Sequence, residues 1–382
     1  MKEQTKILLA SQDSCTGCAA CAQSCAKGAI SMREDREGFL QPHIDPKLCV
    51  GCHKCEQVCP IISPITIPQD FETKAYAAIN KDEAVRMRSS SGGVFHALAK
   101  WTIEQGGVVF GARFDDNWEV MHDYTETIEG IEPFMRSKYV QSRVGNTYKQ
   151  AKKFLDEGRW VLYSGTPCQI GGLHSFLGKD YDKLLMVDLI CHGVPSSGVW
   201  RKYLKECVGD EIANVNFRDK HYGWDKNQCM TISTKVGKIS NEQMNNIYYR
   251  GFINRLFLRK SCHRCVYRTL RRYSDITLAD YWGVRTLSPN MYDNGGTSFV
   301  IINSQIGYFA YKSINICDEK QMLNNIKIGN PMVFINYSKN YKRHLFFVIM
   351  RAGFPMKIAT FLSEKYPYFN FLYRKIRKIV IP

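Results

Sequence analysis

The sequence predicts two units of different class: a small cysteine-stapled N-terminal unit over residues 1–62, then a larger mixed α/β domain. Two observations predict this. Eight of the fifteen cysteines lie in the first 60 residues, in two copies of one spacing. Beyond residue 74, short apolar strand patterns alternate with helical ones, as in strand–helix–strand units. At 382 residues the chain is long enough for both.

The first run is Cys15-x2-Cys18-x2-Cys21-x3-Cys25; the second is Cys49-x2-Cys52-x2-Cys55-x3-Cys59, followed by Pro60. This is the ligand run of a two-cluster bacterial ferredoxin. A cubane needs four thiolates around it in three dimensions. Short x2 gaps let one tight loop supply three, and the last cysteine of each run crosses to the other cluster. One [4Fe-4S] cluster is therefore expected on Cys15, Cys18, Cys21 and Cys59. The other is expected on Cys49, Cys52, Cys55 and Cys25. The clusters staple a segment too short for a large core. Disulfides of a secreted domain are a poorer account: the apolar run after Lys2 and Lys6 is only Ile7 to Ala10, too short for an export signal. Zinc sites pair cysteines as C-x2-C rather than in triple runs. One departure is Ala26, where the run usually continues with proline as it does at Pro60.

Composition sets the setting. No apolar run reaches the length of a membrane span, and iron–sulfur ligation fits a reducing cytoplasm. The formal charge is +16. Each cubane with four thiolates carries about −2, so three would bring the total to about +10, and a bound flavin dinucleotide lower still. Part of the basic excess is thereby expected to offset buried anionic cofactors.

Residues 63–73, with Pro64 and Pro68, read as a stiff linker. Lys74–Asn80 is a strand candidate. Ser90-Ser91-Gly92-Gly93 opens a helical pattern through Phe95, Leu98, Ala99 and Thr102. Val108–Phe114 reads as a strand, and Tyr148–Glu157 as a helix ended by Gly158. Trp160–Tyr163 is a short buried strand running into the loop Ser164-Gly165-Thr166-Pro167-Cys168. Gly171–Leu177 reads as a helix, and Leu184–Ile190 as a strand ending at Cys191-His192-Gly193. The two strands of such a unit are parallel. Cys168 and Cys191 then share the rim where open α/β sheets bind ligands. Cys262-x2-Cys265 follows the helical pattern 245–258. The stretch Asp275–Gly283 is a strand leading into a turn, and Phe299–Ile302 a further strand. Spacing leaves two accounts of Cys168, Cys191, Cys262 and Cys265 open: a third four-cysteine site, or a redox pair plus two packed cysteines. Cys207, Cys229 and Cys317 stand alone and read as packing residues.

At these residues the chain resembles the coenzyme F-420 hydrogenase/dehydrogenase beta subunits, over roughly residues 74–330. The carriers are Ser90–Gly93, Lys138-Tyr139-Val140-Gln141-Ser142, Gly165-Thr166-Pro167-Cys168-Gln169, Cys191-His192-Gly193-Val194-Pro195-Ser196, Cys262-x2-Cys265 and Ala279-Asp280-Tyr281-Trp282-Gly283. Together and in this order they are specific. The resemblance implies a mixed α/β flavin-binding domain fused to the ferredoxin unit, FAD, and a third [4Fe-4S] cluster on Cys168, Cys191, Cys262 and Cys265. It divides the chain into 74–150, the flavin-binding part, 151–335, with the third cluster, and 336–382, a basic aromatic segment. Members pass electrons between clusters and a two-electron acceptor; the deazaflavin coenzyme is one known partner, and pigment reductases are relatives.

No G-x-G-x-x-G follows a strand, so there is no Rossmann fingerprint. The expected flavin contacts are Ser90, Ser91, Gly92 and Gly93, as a pyrophosphate seat at a helix N-terminus, then Lys138, Tyr139, Gln141, Ser142, Gly165 and Thr166. An ordinary helix cap is the plainer account of the Ser-Gly turn, and a solvated lysine that of Lys138. His192 is the candidate proton donor, since histidine titrates near neutrality; a histidine donating to a cluster sulfur is its rival. Asp280 is the second catalytic candidate, and His221 lies on a loop that could line a pocket.

The expected function is an iron–sulfur flavoprotein oxidoreductase: single electrons from a soluble donor such as ferredoxin pass through the clusters to FAD and on to a small-molecule or glycan-linked substrate. Resemblance alone suggests surface-polysaccharide biosynthesis. Basic and aromatic residues interleave at 339–378, among them Arg343, Phe346, Phe347, Phe361 and Lys375. They predict an interfacial helix on an anionic membrane, against a solvated packed tail. The expected location is therefore cytoplasmic, at the inner face of the membrane. Two other classes are weighed: an electron relay without a substrate site, and a nucleic-acid protein with structural clusters. No recognisable nucleic-acid motif accompanies the basic charge.

Overall fold

The two cysteine runs fold as twins. Gly17 (φ 72) and Gly51 (φ 69) turn the chain between the first two cysteines of each run into the left-handed region. Ala19 (φ 63) and His53 (φ 57) repeat it two residues on. A left-handed non-glycine residue costs about 1–2 kcal/mol, so its recurrence at matched positions reflects one imposed loop shape. The first loop enters α1 (Ala20–Ser24), followed by the antiparallel hairpin β1 (Ile30–Glu34) and β2 (Leu40–Ile44); the second enters α2 (Lys54–Gln57).

The computed structural model describes residues 7–67, 70–209, 211–225, 228–235, 237–336 and 341–365. After the linker come β3 (Lys74–Asn80), α3 (Glu83–Arg88), α4 (Val94–Glu104), β4 (Val108–Phe114), β5 (Val120–Thr125), α5 (Thr147–Asp156), β6 (Val161–Ser164), α6 (Pro167–Leu177) and β7 (Leu184–Leu189). Next are α7 (Ser197–Tyr203), a small antiparallel sheet of β8 (Ile212–Asp219), β9 (Cys229–Thr234) and β10 (Gly237–Glu242), and α8 (Ile247–Ile253). The chain returns through β11 (Ile276–Asp280), α9 (Val284–Leu287), β12 (Ser298–Ile302), α10 (Gln305–Ser313) and β13 (Ile316–Gln321), and closes with α11 (Tyr341–Arg351) and α12 (Met356–Glu364).

The main sheet has eight strands in the order β13-β3-β12-β11-β7-β6-β4-β5. Neighbours β4, β6, β7 and β11 are parallel, as the β6–α6–β7 unit predicts. Two antiparallel steps through β12 bring β3 into the same direction. The carboxyl ends of β3, β11, β7, β6 and β4 therefore share one rim. Strands from both sides of residue 150 build this one sheet. Its period-2 pattern buries both faces: Val109, Leu162, Leu185 and Val187 join one core cluster, while Val108, Phe110, Tyr163 and Met186 join another.

Helix α6 starts four residues earlier than expected. Pro167 and Gly165 read as breakers, but proline at the first helical position is preorganised for a helix. Gln169 Oε1 accepts the Thr166 N–H at 2.9 Å, the return bond of a capping box. Cys168 is thus in the first turn of a helix.

The C-terminal stretch is packed in part. Phe346 and Phe347 of α11 are buried in the core with Trp200, Phe257 and Met356, and Arg343 is ion-paired with Glu37 of the N-terminal unit. Phe354, Ile358 and Phe361 are exposed. Residues 366–382, with Tyr366, Tyr368, Phe369, Phe371, Tyr373, Arg374, Lys375, Arg377 and Lys378, lie outside the described residues, as does Lys339. No described helix is long and apolar enough to cross a membrane. Cys229 is buried as expected for packing, whereas Cys317 is exposed.

The N-terminal unit is built into the larger domain. Ala19 and Ala20 belong to the core beneath the main sheet, beside Tyr148 and Ile170. Gln23 Oε1 accepts the Tyr148 and Lys149 N–H groups at 3.0 and 3.3 Å, capping α5 from another part of the chain. Arg259, 1 % exposed, donates to the Cys15 carbonyl at 2.7 Å, to Leu40 O at 2.9 Å and to Gln141 Oε1 at 3.1 Å. Arg259→Met leaves these buried acceptors unpaired, at about 1–3 kcal/mol each. Faster limited proteolysis at residues 63–73 and a lower melting temperature are expected, and wild-type values in both would contradict this account of the interface.

Candidate metal centres and redox rim

Cys15, Cys18, Cys21 and Cys59 line one hollow with Leu9, Met32, Pro42 and Ile61. The crossing of Cys59 to the first run is thus present in the geometry. Sulfurs face backbone donors: Gly17 N–H lies 3.4 Å from Cys15 Sγ, and Ala29 N–H 3.3 Å from Cys25 Sγ. Burial pushes the Cys18 thiol up to about 11 and Cys21 higher, and neighbouring thiols add to both. Such sulfurs are neutral unless something cationic holds them as thiolates. The second set is more open: Cys55 is buried beside Cys49, Cys25 is half-buried and Cys52 is exposed.

On the rim, the start of α6, the end of β7 and the turn after Leu258 bring Cys168, Cys191, Cys262 and Cys265 around a second hollow. Tyr267, Arg268, Arg272 and Met332 share its wall. Val194 N–H lies 3.4 Å from Cys262 Sγ. Burial, then the neighbouring thiols, raise Cys191 to about 12 and Cys262 to about 11. Arg268 draws both down, and Arg272 acts with it on Cys265. Among the described residues no three Cys, His, Asp or Glu side chains close on a single ion. Four thiols around a space, backbone N–H groups turned to sulfur and nearby arginines fit a guest that is wider than an ion and anionic. Both hollows suit a [4Fe-4S] cluster on these grounds.

The other half of the rim is polar. Arg218, buried on β8, is ion-paired with Asp280 at the end of β11. Burial opposes the guanidinium charge most, but Asp280, Tyr139 and Tyr249 together outweigh it and the pKa is raised. Arg218 Nη2 and Asp280 Oδ1 are buried without partners. The guanidinium lies 5.1 Å from the Trp282 ring, which stacks on Trp224 at 4.9 Å. Lys220 Nζ donates to the carbonyls of Arg86, Ser91 and Gly295 at 2.7–2.8 Å. Burial, then Arg218 and Arg86, push its pKa down to about 7. Three acceptors nonetheless call for the three N–H bonds of an ammonium. Trp224 Nε1 donates to Ser90 O at 3.2 Å. The loop 218–224 thus joins the Ser-Gly turn to Asp280.

The ten expected flavin residues each have partners within the protein. Ser91 Oγ donates to Thr297 O and Ser90 Oγ accepts from Ser137 N–H, while Ser298 Oγ accepts from Gly92 N–H. Gly93 sits at φ 81 as the cap of α4. Lys138 is half-buried: its ammonium donates to Pro133 and Met135 carbonyls, and burial pushes its pKa down to about 7. Gln141 is spent on Arg259 and on the Thr16 carbonyl. Ser142 meets His122 Nδ1 at 2.5 Å, Gly165 packs against Gln169, and Thr166 caps α6. Tyr139 faces the polar half, beside Arg218 and stacked on Phe252 at 4.6 Å, and the Ser90 and Ser91 carbonyls meet its Trp224 and Lys220.

His192 packs edge-on to Phe252 at 4.8 Å, and its Nε2 is buried without a partner. Burial, then Arg255 and Arg268, push its pKa down to about 4 in the protein without a cluster. His221 is exposed against Tyr222. Sequence reasoning passed over Arg218, Lys220, Arg259 and Tyr267. Of these, Arg259, three residues before Cys262, was legible as a cation closing the apolar run Leu256–Leu258.

Residues 158–323 match the family described as the C terminus of the coenzyme F420 hydrogenase/dehydrogenase beta subunit, and residues 14–61 match the 4Fe-4S dicluster domain. The chain carries the C-terminal domain of these beta subunits, with a dicluster ferredoxin domain at its N-terminus. It is similar to the F subunit of the F(420)H(2) dehydrogenase of Methanosarcina mazei, 22% identical over 332 residues, covering 84% of this chain and 87% of that protein. It is also similar to the coenzyme F420-dependent sulfite reductase of Methanocaldococcus jannaschii, 29% identical over 190 residues, 47% of this chain and 28% of that protein. A chain of the F420-reducing [NiFe] hydrogenase complex from Methanosarcina barkeri aligns with a TM-score of 0.46 at 14% identity, over 70% of this chain and 90% of that one. The family is one of iron–sulfur oxidoreductases.

Cys168→Ser is expected to lower the iron content of the anaerobically purified protein by about four atoms, one cubane, and to leave the signals of the dicluster domain intact. Unchanged iron would remove the rim site.

Proposed function

We propose that the protein is an iron–sulfur electron-transfer subunit that takes single electrons at its dicluster domain and delivers them to a two-electron carrier at the polar half of the rim. The observation that carries this is the meeting of four cysteines from three chain segments beside Arg218 and Asp280. Held by Cys15/Cys18/Cys21/Cys59, Cys49/Cys52/Cys55/Cys25 and Cys168/Cys191/Cys262/Cys265, [4Fe-4S] clusters supply one-electron storage and transfer.

The chain's own residues set the conditions. Apolar walls at the first hollow exclude water, and Arg268 and Arg272 offset anionic charge at the rim. The exposed Cys52, flanked by exposed Leu48 and Val50, is the natural contact for a soluble donor such as ferredoxin. Arg218 Nη2 and Asp280 Oδ1 are a donor and an acceptor awaiting a ligand, which favours an enzyme with its own site over a pure relay. Trp282 and Tyr139 offer ring surfaces beside them. The names of the relatives suggest the deazaflavin coenzyme as this ligand; FAD, implied by the resemblance, suits the same chemistry. Of the residues first expected to seat FAD, Ser90, Ser91 and Tyr139 adjoin this polar half. A glycan-linked substrate and a role in surface-polysaccharide synthesis have the resemblance as their only support.

Iron, sulfide and flavin should be quantified together after anaerobic purification, and cluster absorbance followed on adding reduced or oxidised F420. About twelve irons are expected for three cubanes, with either a bound flavin or a reversible absorbance change with F420. Arg218→Met should abolish the flavin or the F420 response while iron stays unchanged. Full iron with neither flavin nor an F420 response would make the protein a relay.

A further inference from the structure

One helix separates the first hollow from the rim hollow. Cys168 stands in the first turn of α6, and Ile170, Leu173 and Leu177 point from that helix into the core beneath the sheet. The adjacent glycines at 171 and 172 are packed tightly on their outer side. A Cβ at Gly172 would lie 2.8 Å from Cys18 Cβ and 2.9 Å from Cys18 Sγ; one at Gly171 would lie 2.5 Å from the Tyr267 hydroxyl. Cys18 is therefore seated on the backbone of the helix that carries Cys168, four residues away, a rise of about 6 Å. Tyr267 is 8 % exposed, lines the rim hollow, and its hydroxyl has no partner. Cys168 and Cys18 both act on that hydroxyl electrostatically, which places it between the two sets of thiols.

We infer that the Cys168–Gly172 segment of α6 is the electron crossing between the first and rim cages, with Gly172 positioning Cys18 and the Tyr267 hydroxyl donating a hydrogen bond to the rim cage's guest. This rests on the reading of both cages as cluster sites. One electron crosses: the donor side is oxidised by one, the acceptor side reduced by one, and no proton or co-reactant is needed. Transfer rate falls steeply with separation, and a helix face without side chains lets Cys18 approach the helix that carries Cys168 more closely than any other residues would allow. A hydroxyl buried without a partner is costly in protein alone. An anionic sulfide-bearing guest would satisfy it, and hydrogen bonds to cluster sulfur raise the reduction potential.

The test uses the full chain, loaded anaerobically, with iron count, electron paramagnetic resonance of the reduced protein and freeze-quenched reduction. Gly172→Ala is expected to keep its iron, weaken the spin coupling between first and rim clusters, and slow reduction of the rim cluster several-fold. Tyr267→Phe should shift the midpoint potential of the rim cluster alone to a more negative value. Full iron with unchanged coupling and rate in Gly172→Ala overturns the crossing, and an unchanged potential in Tyr267→Phe overturns the donor role. Should Gly172→Ala lose iron, the wild type decides: coupling must be present there and vanish in Cys168→Ser, and its absence overturns the crossing. A wild type with about eight irons instead overturns the rim cage itself, a separate outcome.

Discussion

The buried guanidinium of Arg259 holds the two units in one frame. It reaches three acceptors, of which Cys15 and Leu40 are in the dicluster domain and Gln141 is in the larger one. Its own carbonyl accepts the Cys262 N–H at 3.0 Å. One residue therefore fixes a loop of the first cage and a loop of the rim cage to each other. No carboxylate pairs with it among the described residues; a positive charge so placed is compatible with burial because the sites on either side are suited to anions.

Around this joint the two domains share surfaces that neither could leave bare. Gly38, at the tip of the β1–β2 hairpin, approaches the backbone of Gly198 so closely that a Cβ would meet its nitrogen at 2.5 Å. Arg201 pairs with Glu34 and with Glu119, one carboxylate from each unit. The core cluster beneath the main sheet runs from Ala19 and Val58 through to Leu184 without a gap at the domain boundary. The proline-bearing linker sets the order of the domains along the chain, while these contacts set their placement.

Much of the scaffold was legible in the sequence. The cysteine spacing carried the dicluster domain, because cluster ligation leaves little freedom in loop length. The strands at 74–80 and 108–114 matched to the residue, since β-branched and apolar runs between turn residues have few other readings. Cys168 and Cys191 were placed on one rim by topology alone. The flavin residues were not legible in this way. Gln141 and Ser142 are adjacent polar residues, but their hydrogen bonds go to Arg259, Thr16 and His122, partners remote in sequence. The C-terminal aromatics divide in a way the pattern does not reveal: Phe346 and Phe347 are buried in the core while Phe361 is exposed, since an apolar face looks the same in sequence whatever it meets. Arg218 and Lys220 were hidden in a strand and a loop whose roles appear only when β8 lies across the end of β11.

The ion pair between Glu37 and Arg343 spans 306 positions of sequence. During synthesis the iron-binding segment emerges first, yet Ala19 and Ala20 have no core to enter, α5 awaits its cap from Gln23, and Glu37 has no counter-ion until the last helices are made. The N-terminal unit therefore reaches its final packing only when the last helices are in place. A truncation that removes the helix of Arg343 strips Glu37, at the opposite end of the chain, of its counter-ion.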